Sequence, residues 1–259
     1  MSCLRVATYN TDKEQNGRDP VLDALLREPR TLVCLQEVSI SRAQEIKRSF
    51  RRRSFVTPLR VRYGLQFLAV VLPEGARFVK CRTAHLTHLW GLVPRAWCLR
   101  RSYQLYRSGS RKWRNALSPR AAQVGWVQWE RRAFRLINTH IPGETGLRPR
   151  CLDRLHSLLV CGQDVLCGKD VLLVGDLNVT IENVFLADLL RTTGLRSTGS
   201  TSGPIGSERG MIDHVLFSGG GLREVEYSLE EGLSDHPLVR VALEEEKYQE
   251  YHPPYPARA

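Results

Sequence analysis

The stretch Leu173-Val174-Gly175-Asp176-Leu177-Asn178 combines a short apolar run with two polar side chains at its end. The run is short enough to be a buried strand. Alternation along a strand puts residues i and i+2 on one face, so a strand continuing through Asn178 would point Asp176 and Asn178 together. An aspartate accepts protons, and an asparagine amide donates hydrogen bonds to a phosphate oxygen. The same pattern also serves as an ordinary exit from a strand into a turn, so the hexamer alone leaves both interpretations open.

Further polar clusters end, interrupt or precede apolar runs elsewhere in the chain. In chain order they are Val6-Ala7-Thr8-Tyr9-Asn10, Leu32-Val33-Cys34-Leu35-Gln36-Glu37, Leu136-Ile137-Asn138-Thr139-His140, Met211-Ile212-Asp213-His214-Val215 and Leu233-Ser234-Asp235-His236-Pro237. Each cluster is unremarkable by itself. Together, and in this order, they resemble the endonuclease/exonuclease/phosphatase family of the deoxyribonuclease I type over residues 10–236.

The resemblance implies an α/β fold: a four-layer α/β-sandwich in which two packed mixed β-sheets are flanked by helices. The patterns in the chain agree with this class but do not give its topology. Asp19-Pro20 predicts a helix start, since aspartate caps helices and proline suits the first helical position. Thr31–Val38 predicts a buried strand, and Arg150–Leu166 predicts a helix with a leucine stripe. Val124–Glu130 and Ala133–His140 predict a hairpin.

The composition fits one compact, non-membrane domain. A chain of 259 residues with 42% hydrophobic content can bury a full core. We expect the domain to span residues 1–245, with a flexible tail at 246–259. Without an apolar run of about 18 residues we expect no stable membrane insertion. The first residues show no secretory apolar segment, and the seven cysteines include no Cys-x-x-Cys pair, so we expect a cytoplasmic monomer.

The net charge of +11 is concentrated in two stretches. Residues 42–62 hold eight Lys/Arg and one acid, and residues 95–135 hold eleven and one. Basic residues interleaved with aromatics suit phosphate contacts and base stacking. We therefore interpret the following as candidate nucleic-acid-binding residues: Arg51, Arg52, Arg53, Arg111, Lys112, Trp113, Arg114 and Arg120. A solvated basic face, with Trp126 and Trp129 in the core, would give the same composition.

The resemblance implies a metal site. Glu37 is the principal ligand by this reasoning, with Asn10 and Asp235 close by. Carboxylate and amide oxygens suit Mg²⁺, which binds through one or two carboxylates and keeps several waters. We expect Mg²⁺ as the cofactor, with Mn²⁺ able to replace it; whether one or two ions bind stays open.

The resemblance also implies catalytic roles. His236 would be the general base that takes a proton from the attacking water, oriented by Asp213 on its other nitrogen. His214 follows Asp213 on the opposite strand face, which favours a structural role. Asp176 and Asn178 would sit on the reacting phosphate.

His140 is the histidine of deoxyribonuclease I-like and sphingomyelinase-like members. It would protonate the leaving oxygen or bind the phosphate. These members pair it with a glutamate from the strand region before it, and Glu74 is the candidate acid here. Glu74 follows Pro73 in an apparent turn, so the acidic partner of His140 stays open.

The leading hypothesis is a Mg²⁺-dependent phosphodiester hydrolase, a nuclease acting on DNA rather than RNA, with endo- or exonuclease action left open. The alternative is a phosphatase or phosphodiesterase that acts on a phospholipid head group or a small phosphoester. Polybasic surfaces also suit anionic membranes, so charge does not separate the two. A third class, an inactive binding module, would not require Glu37, Asp176 and His236 together.

Overall fold

The computed structural model describes residues 3–14, 17–61, 64–86, 120–141, 143, 148–161, 170–199, 211–218 and 221–245. The predicted tail at 246–259 lies outside these residues. Within them the chain forms two six-stranded mixed sheets and four α-helices. The helices are α1 (Pro20–Leu26), α2 (Ile40–Ser49), α3 (Arg148–Cys161) and α4 (Val184–Thr193).

The first sheet contains strands from both ends of the chain. They are β1 (Leu4–Asn10), β2 (Thr31–Val38), β3 (Ser54–Val61), β4 (Gly64–Val71), β11 (Leu222–Glu230) and β12 (Leu238–Glu245). Their spatial order is β11-β12-β1-β2-β4-β3. Only β1 and β2 run parallel; the other neighbours are antiparallel.

The second sheet is built from the middle of the chain. It contains β5 (Arg77–His85), β6 (Ala121–Trp129), β7 (Arg132–His140), β8 (Val171–Asp176), β9 (Arg196–Ser197) and β10 (Asp213–Ser218). Their order is β5-β6-β7-β8-β10-β9, with β7 and β8 parallel.

The two sheets pack face to face, and helices cover their outer faces. Residues such as Val6, Cys34, Phe134 and Val174 form the core between the sheets. A second cluster joins the outer face of the second sheet to α3 and α4, and a third joins the first sheet to α1 and α2. Four layers result, which confirms the predicted fold class.

Local sequence signals account for several elements. The Asp19 carboxylate accepts a hydrogen bond from the Val21 amide and caps α1, as predicted. Strand β2 has the predicted bounds, and the predicted hairpin forms. The helix predicted over Arg150–Leu166 is described as Arg148–Cys161. Trp126 and Trp129 are buried, as the alternative interpretation of the aromatics expected.

The strand directions bring the polar clusters to one end of the sandwich. Parallel strands end together, so Asn10 pairs with Gln36 and His140 pairs with Asp176. Strand β10 is antiparallel to β8 and begins at the same place, because Asp213 pairs with Asp176. This end of the sandwich is called the site end below.

Candidate active site

A bulge turns Glu37 toward the site end. The pairing of β2 with β4 shifts between Leu35 and Val38, and Glu37 has a left-handed φ of 52°. Gln36 points into the space between the sheets and is fully buried, so regular alternation would send Glu37 to the opposite face. The extra residue breaks this alternation, as bulges near active sites do. The Glu37 carboxylate instead accepts a hydrogen bond from the Gln66 amide.

Asp176 is buried at the centre of the site. Its Oδ2 accepts a hydrogen bond of 3.1 Å from the Asn10 amide, and its Oδ1 accepts one of 2.8 Å from the Asn178 backbone. Burial, followed by the negative charge of Asp213, raises the pKa of Asp176 well above its ordinary value. Gly175 permits this arrangement: its φ is 132°, and a Cβ there would overlap the Thr139 carbonyl oxygen.

Strand β8 does not continue through Asn178, which was the condition for Asp176 and Asn178 to share a strand face. The strand ends at Asp176, and Asn178 has a left-handed φ of 52°. The alternation of side chains along a strand therefore does not determine where Asp176 and Asn178 point. The Asn178 amide donates a hydrogen bond of 2.8 Å to the Ile141 carbonyl, which ties it to the segment after His140. Asn178 still lies at the site end, where its backbone N–H donates a hydrogen bond to Asp176.

His236 and Asp213 form the predicted dyad. His236 Nδ1 lies 2.7 Å from Asp213 Oδ2, although 23 residues separate them. Burial by itself lowers the pKa of His236, but the hydrogen bond and negative charge of Asp213 outweigh it. The net result raises this pKa to about 9. Nδ1 is held by the carboxylate, which leaves Nε2 as the nitrogen that can meet a substrate.

His140 contacts two acids. Its Nε2 lies 3.5 Å from Asp176 Oδ2 and 3.7 Å from Glu37 Oε1. Glu74 is not the partner: it is exposed in a turn and lies 3.8 Å from Arg53. Within the described residues, both acids that contact His140 belong to the candidate site itself.

The donor set fits a hard divalent cation. Glu37, Asn10 and Asp235, the predicted ligands, offer carboxylate and amide oxygens. His140 Nε2 contacts both Glu37 and Asp176. The Asn10 amide donates a hydrogen bond directly to Asp176. The Asp235 side chain is 73% exposed, 3.9 Å from His236 Nε2.

A tighter group within the described residues is Asp176, Asp213 and His236, whose ligand atoms all lie within 4.8 Å of one another. Asp213 Oδ1 is buried there, and no described residue donates a hydrogen bond to it. His236 Nδ1 already bonds Asp213 Oδ2. We therefore interpret this group as the reactive centre and Glu37 as the better cation ligand.

The candidate nucleic-acid-binding residues that the structure describes lie at opposite ends of the sandwich. The Arg53 carbonyl bonds the Leu72 amide, next to the start of β2. Glu37 lies about five residues further along the sheet, roughly 16 Å at ~3.3 Å per residue. Arg51, Arg52 and Arg53 thus lie at the opposite end of the first sheet from Glu37. Arg120 is buried at the site end, since it precedes β6. Arg111, Lys112, Trp113 and Arg114 lie outside the described residues.

Sequence reasoning missed Gln66, because a lone glutamine within an apolar strand carries no signal. It also missed how Tyr9 and Asp19 hold the loop of His236. The hydroxyl of Tyr9 donates to the Asp19 carboxylate, which also accepts from the Leu233 backbone. The pattern around Asp19 predicted only its capping role.

Residues 7–236 match the model of the Endonuclease/Exonuclease/phosphatase family. Since this match covers most of the chain, and the fold and site agree, the chain belongs to that family, whose members hydrolyse phosphoesters. No curated protein sequence matches the chain.

Several solved structures share the fold. A mannosyl-6-phosphatase of Bacteroides thetaiotaomicron is 16% identical, with a TM-score of 0.65, over 93% of this chain and 99% of that chain. The human Nocturnin catalytic domain, with bound sulfate, is 15% identical with a TM-score of 0.66, over 94% and 95%. TDP2 of D. rerio, complexed with a single-strand DNA product, is 12% identical with a TM-score of 0.63, over 94% and 99%.

Proposed function

We propose that this protein is a divalent-metal-dependent phosphodiesterase that cleaves DNA. The observation that carries the proposal is the His236–Asp213 dyad: one ring nitrogen of His236 and a carboxylate oxygen of Asp213 lie within 4.8 Å of the buried carboxylate of Asp176. A family hydrolase with this arrangement has an oriented imidazole next to acids that bind and orient water. The same arrangement would serve any phosphoester, so the dyad supports hydrolysis and the choice of DNA needs separate support.

The residues divide the work of hydrolysis. In the neutral form of the ring, His236 Nε2 takes the proton of the attacking water, while Asp213 orients the ring and stabilises the charged form that results. Asp176, with Asn10 and Asn178 bonded to it, positions that water and the phosphate. His140, whose Nε2 contacts Asp176 and Glu37, donates toward the phosphate or the leaving oxygen.

Glu37, Asn10 and Asp235 would hold the cation, Mg²⁺ or in its place Mn²⁺. When bound, the cation neutralises charge on the phosphate and the leaving oxygen.

A titration by calorimetry tests the metal site apart from catalysis. Glu37→Gln replaces the central carboxylate by an amide, so we expect Mg²⁺ or Mn²⁺ affinity to fall at least about tenfold. Glu45→Gln, which changes a half-exposed acid on α2, is the matched control. Equal affinities in the two variants would remove Glu37 from the ligand set.

The choice of DNA rests on charge and on where the longest basic segment joins the fold. Residues 87–119 contain seven Lys/Arg, five Trp/Tyr and no acid. The described residues that flank this segment are Leu86 and Arg120. The Leu86 amide donates a hydrogen bond to the Arg120 carbonyl at the site end, where β5 ends and β6 begins. Such a composition suits a nucleic-acid backbone with exposed bases. Among the structural neighbours, TDP2 was solved with a single-strand DNA product.

A phosphatase or phosphodiesterase acting on a phospholipid head group or a small phosphoester is the second candidate. The mannosyl-6-phosphatase shares the fold, so this architecture also accommodates a small phosphoester. In the described residues no helix is both apolar enough and long enough to cross a membrane.

A substrate panel decides between the candidates. Single-stranded DNA, duplex DNA, RNA, sphingomyelin, inositol phosphates and a sugar phosphate are incubated with Mg²⁺ or with a chelator. We expect cleavage of single-stranded or duplex DNA that requires the cation. Turnover of a lipid or sugar phosphate, with DNA left intact, would contradict the nuclease proposal and favour the second candidate.

We also propose a monomer in a reducing, cytoplasmic compartment. In the described residues Cys3, Cys34, Cys81 and Cys151 are free thiols. Burial raises the pKa of Cys151 to about 11, so this thiol stays protonated and inert.

A further inference from the structure

Residues 231–237 form the loop that carries both Asp235 and His236, and polar contacts rather than apolar packing hold it. Leu233, its one large apolar residue, is 42% exposed. The loop connects β11 to β12 and crosses the site end beside β1. A catalytic side chain on such a loop needs fixed anchor points, since loops are more mobile than the sheets that they connect.

Tyr9 and Asp19 supply these anchor points from beneath the loop. Asp19 Oδ2 accepts a hydrogen bond of 3.1 Å from the Leu233 amide, and the Tyr9 hydroxyl accepts one of 3.3 Å from the Ser234 amide. The same Tyr9 hydroxyl donates to Asp19 Oδ2. Tyr9 and Asp19 are almost completely buried, so both present preformed partners to the loop.

The fit between the loop and this pair is close. A Cβ at Gly232 would overlap the Tyr9 hydroxyl and approach Asp19 Oδ2 to 2.9 Å, so only glycine lets the backbone lie here. Ser234 continues the connection: its hydroxyl donates to the Asn10 carbonyl at 2.6 Å and accepts from the His236 amide at 3.2 Å. Ser234 thus connects the buried pair to the backbone of His236, because its amide donates to Tyr9 and its hydroxyl accepts from the His236 amide.

We propose that Tyr9 and Asp19 are positioning residues of the hydrolytic reaction, which hold residues 231–237 so that His236 meets Asp213. This inference rests on the proposed function only in assigning catalysis to His236. Neither residue touches the substrate. Their role is to fix the backbone from which the base projects, and a displacement of about 1 Å at such a place can cost up to ~10²-fold in rate.

The competing interpretation is that Asp19 only caps α1 and Tyr9 only fills the core. The two oxygens of Asp19 separate these roles, since Oδ1 accepts from the Val21 amide and Oδ2 from the loop. Asp19→Asn keeps an oxygen for the helix cap but replaces the other by an amide that cannot accept a hydrogen bond. Tyr9→Phe removes only the hydroxyl and leaves the ring in the core.

The experiment measures kcat, KM and backbone hydrogen exchange in Tyr9→Phe and Asp19→Asn. Asn183→Ala is the matched control, because it removes an equivalent cap from α4 without touching the loop. Gly232→Ala, which leaves both partners intact and pushes the loop away, gives a second route if a polar variant fails to fold. Activity is followed on whichever phosphoester the wild-type protein hydrolyses.

We expect at least about tenfold lower kcat with KM nearly unchanged in Tyr9→Phe and Asp19→Asn, together with faster exchange confined to residues 231–237. Asn183→Ala should lower the urea midpoint of unfolding, because α4 loses its cap, and keep its kcat. Unchanged exchange in the loop would overturn the anchoring, and faster exchange with wild-type kcat would overturn the positioning role. If the wild-type protein hydrolyses no phosphoester, the proposed function fails, and the exchange data alone confirm or overturn the anchoring.

Discussion

At the scale of single residues, the environment and not the sequence motif decides what a histidine does. The dipeptide Asp-His occurs twice, as Asp213-His214 and Asp235-His236. His214 is buried on the outer face of β10, where burial lowers its pKa and its Nε2 lies 2.7 Å from the Val179 carbonyl. It supports the loop that follows β8, in line with the structural role predicted for it. His236 instead lies beside three acids and has a raised pKa.

The raised pKa of His236 predicts a pH dependence of stability in the metal-free protein. Its folded pKa of about 9 exceeds the ordinary 6.5, so the folded state binds the extra proton. The resulting stabilisation is complete below about pH 6.5 and is lost as the pH rises through about 9. Urea unfolding with a chelator should show a wild-type free energy of unfolding that falls over this window relative to His236→Gln. Parallel pH profiles for the two proteins would show that His236 does not titrate this way.

At the scale of secondary-structure elements, buried amides connect the two sheets beneath the site. Gln36 on β2 donates a hydrogen bond of 2.8 Å to Asn138 on β7, and Asn138 donates one of 2.9 Å to Gln123 on β6. Gln123 donates in turn to the Phe55 carbonyl of β3 at 2.7 Å. All three amides are at most 1% exposed. Because Gln36 precedes Glu37 and Asn138 lies two residues before His140, this network fixes both sheets where they carry the site.

Removing the central amide should therefore cost stability. Asn138→Leu leaves Gln36 and Gln123 without their partner, so we expect a loss of about 2–4 kcal/mol in the free energy of unfolding by urea. Gln128→Leu, at a partly exposed position of β6, is the control and should change stability by less than about 0.5 kcal/mol. A loss equally small for Asn138→Leu would mean that the network does not hold the sheets together.

The sequence predicted the elements with clear apolar patterns and missed the others. The bounds of β2 and the start of α1 followed from a buried run and a capping pair. Strands β5 and β11 went unrecognised, because each is the edge of its sheet and exposed polar residues hide the alternation. Nothing local announced the bulge at Glu37 either, since it depends on pairing with β4. The site residues came from the order of the clusters, but their contacts depended on the fold.

At the scale of the whole molecule, the positive charge has more than one use. Arg42 is 3% exposed and pairs with Glu14, Asp23 and Glu45, so it joins α1, α2 and the turn after β1. Arg135 is also buried and donates to the Leu159 carbonyl of α3. These arginines hold elements together and offer nothing to a substrate. The basic count therefore overstates the surface that is available to a polyanion.

The segment 87–119, which joins the fold at the site end, should dominate DNA binding. Changing Arg111, Lys112 and Arg114 to glutamine should weaken single-stranded DNA binding and flatten its salt dependence, by about 0.7 in slope per lost phosphate contact. Changing Arg51, Arg52 and Arg53 to glutamine removes the same charge at the far end of the first sheet and should have a smaller effect. The opposite ranking in a salt titration would move the DNA footprint to that end.

We propose that one centre, built from strand ends of both sheets, cleaves a phosphoester bond with His236 as the base. The most direct test is the cation-dependent cleavage of a labelled single-stranded oligonucleotide by the wild-type protein and by folded His236→Ala. We predict that the wild-type protein cleaves with Mg²⁺ and not with a chelator, and that kcat of the variant falls at least about 10²-fold. Wild-type turnover by the folded variant would contradict the role of His236 as the general base.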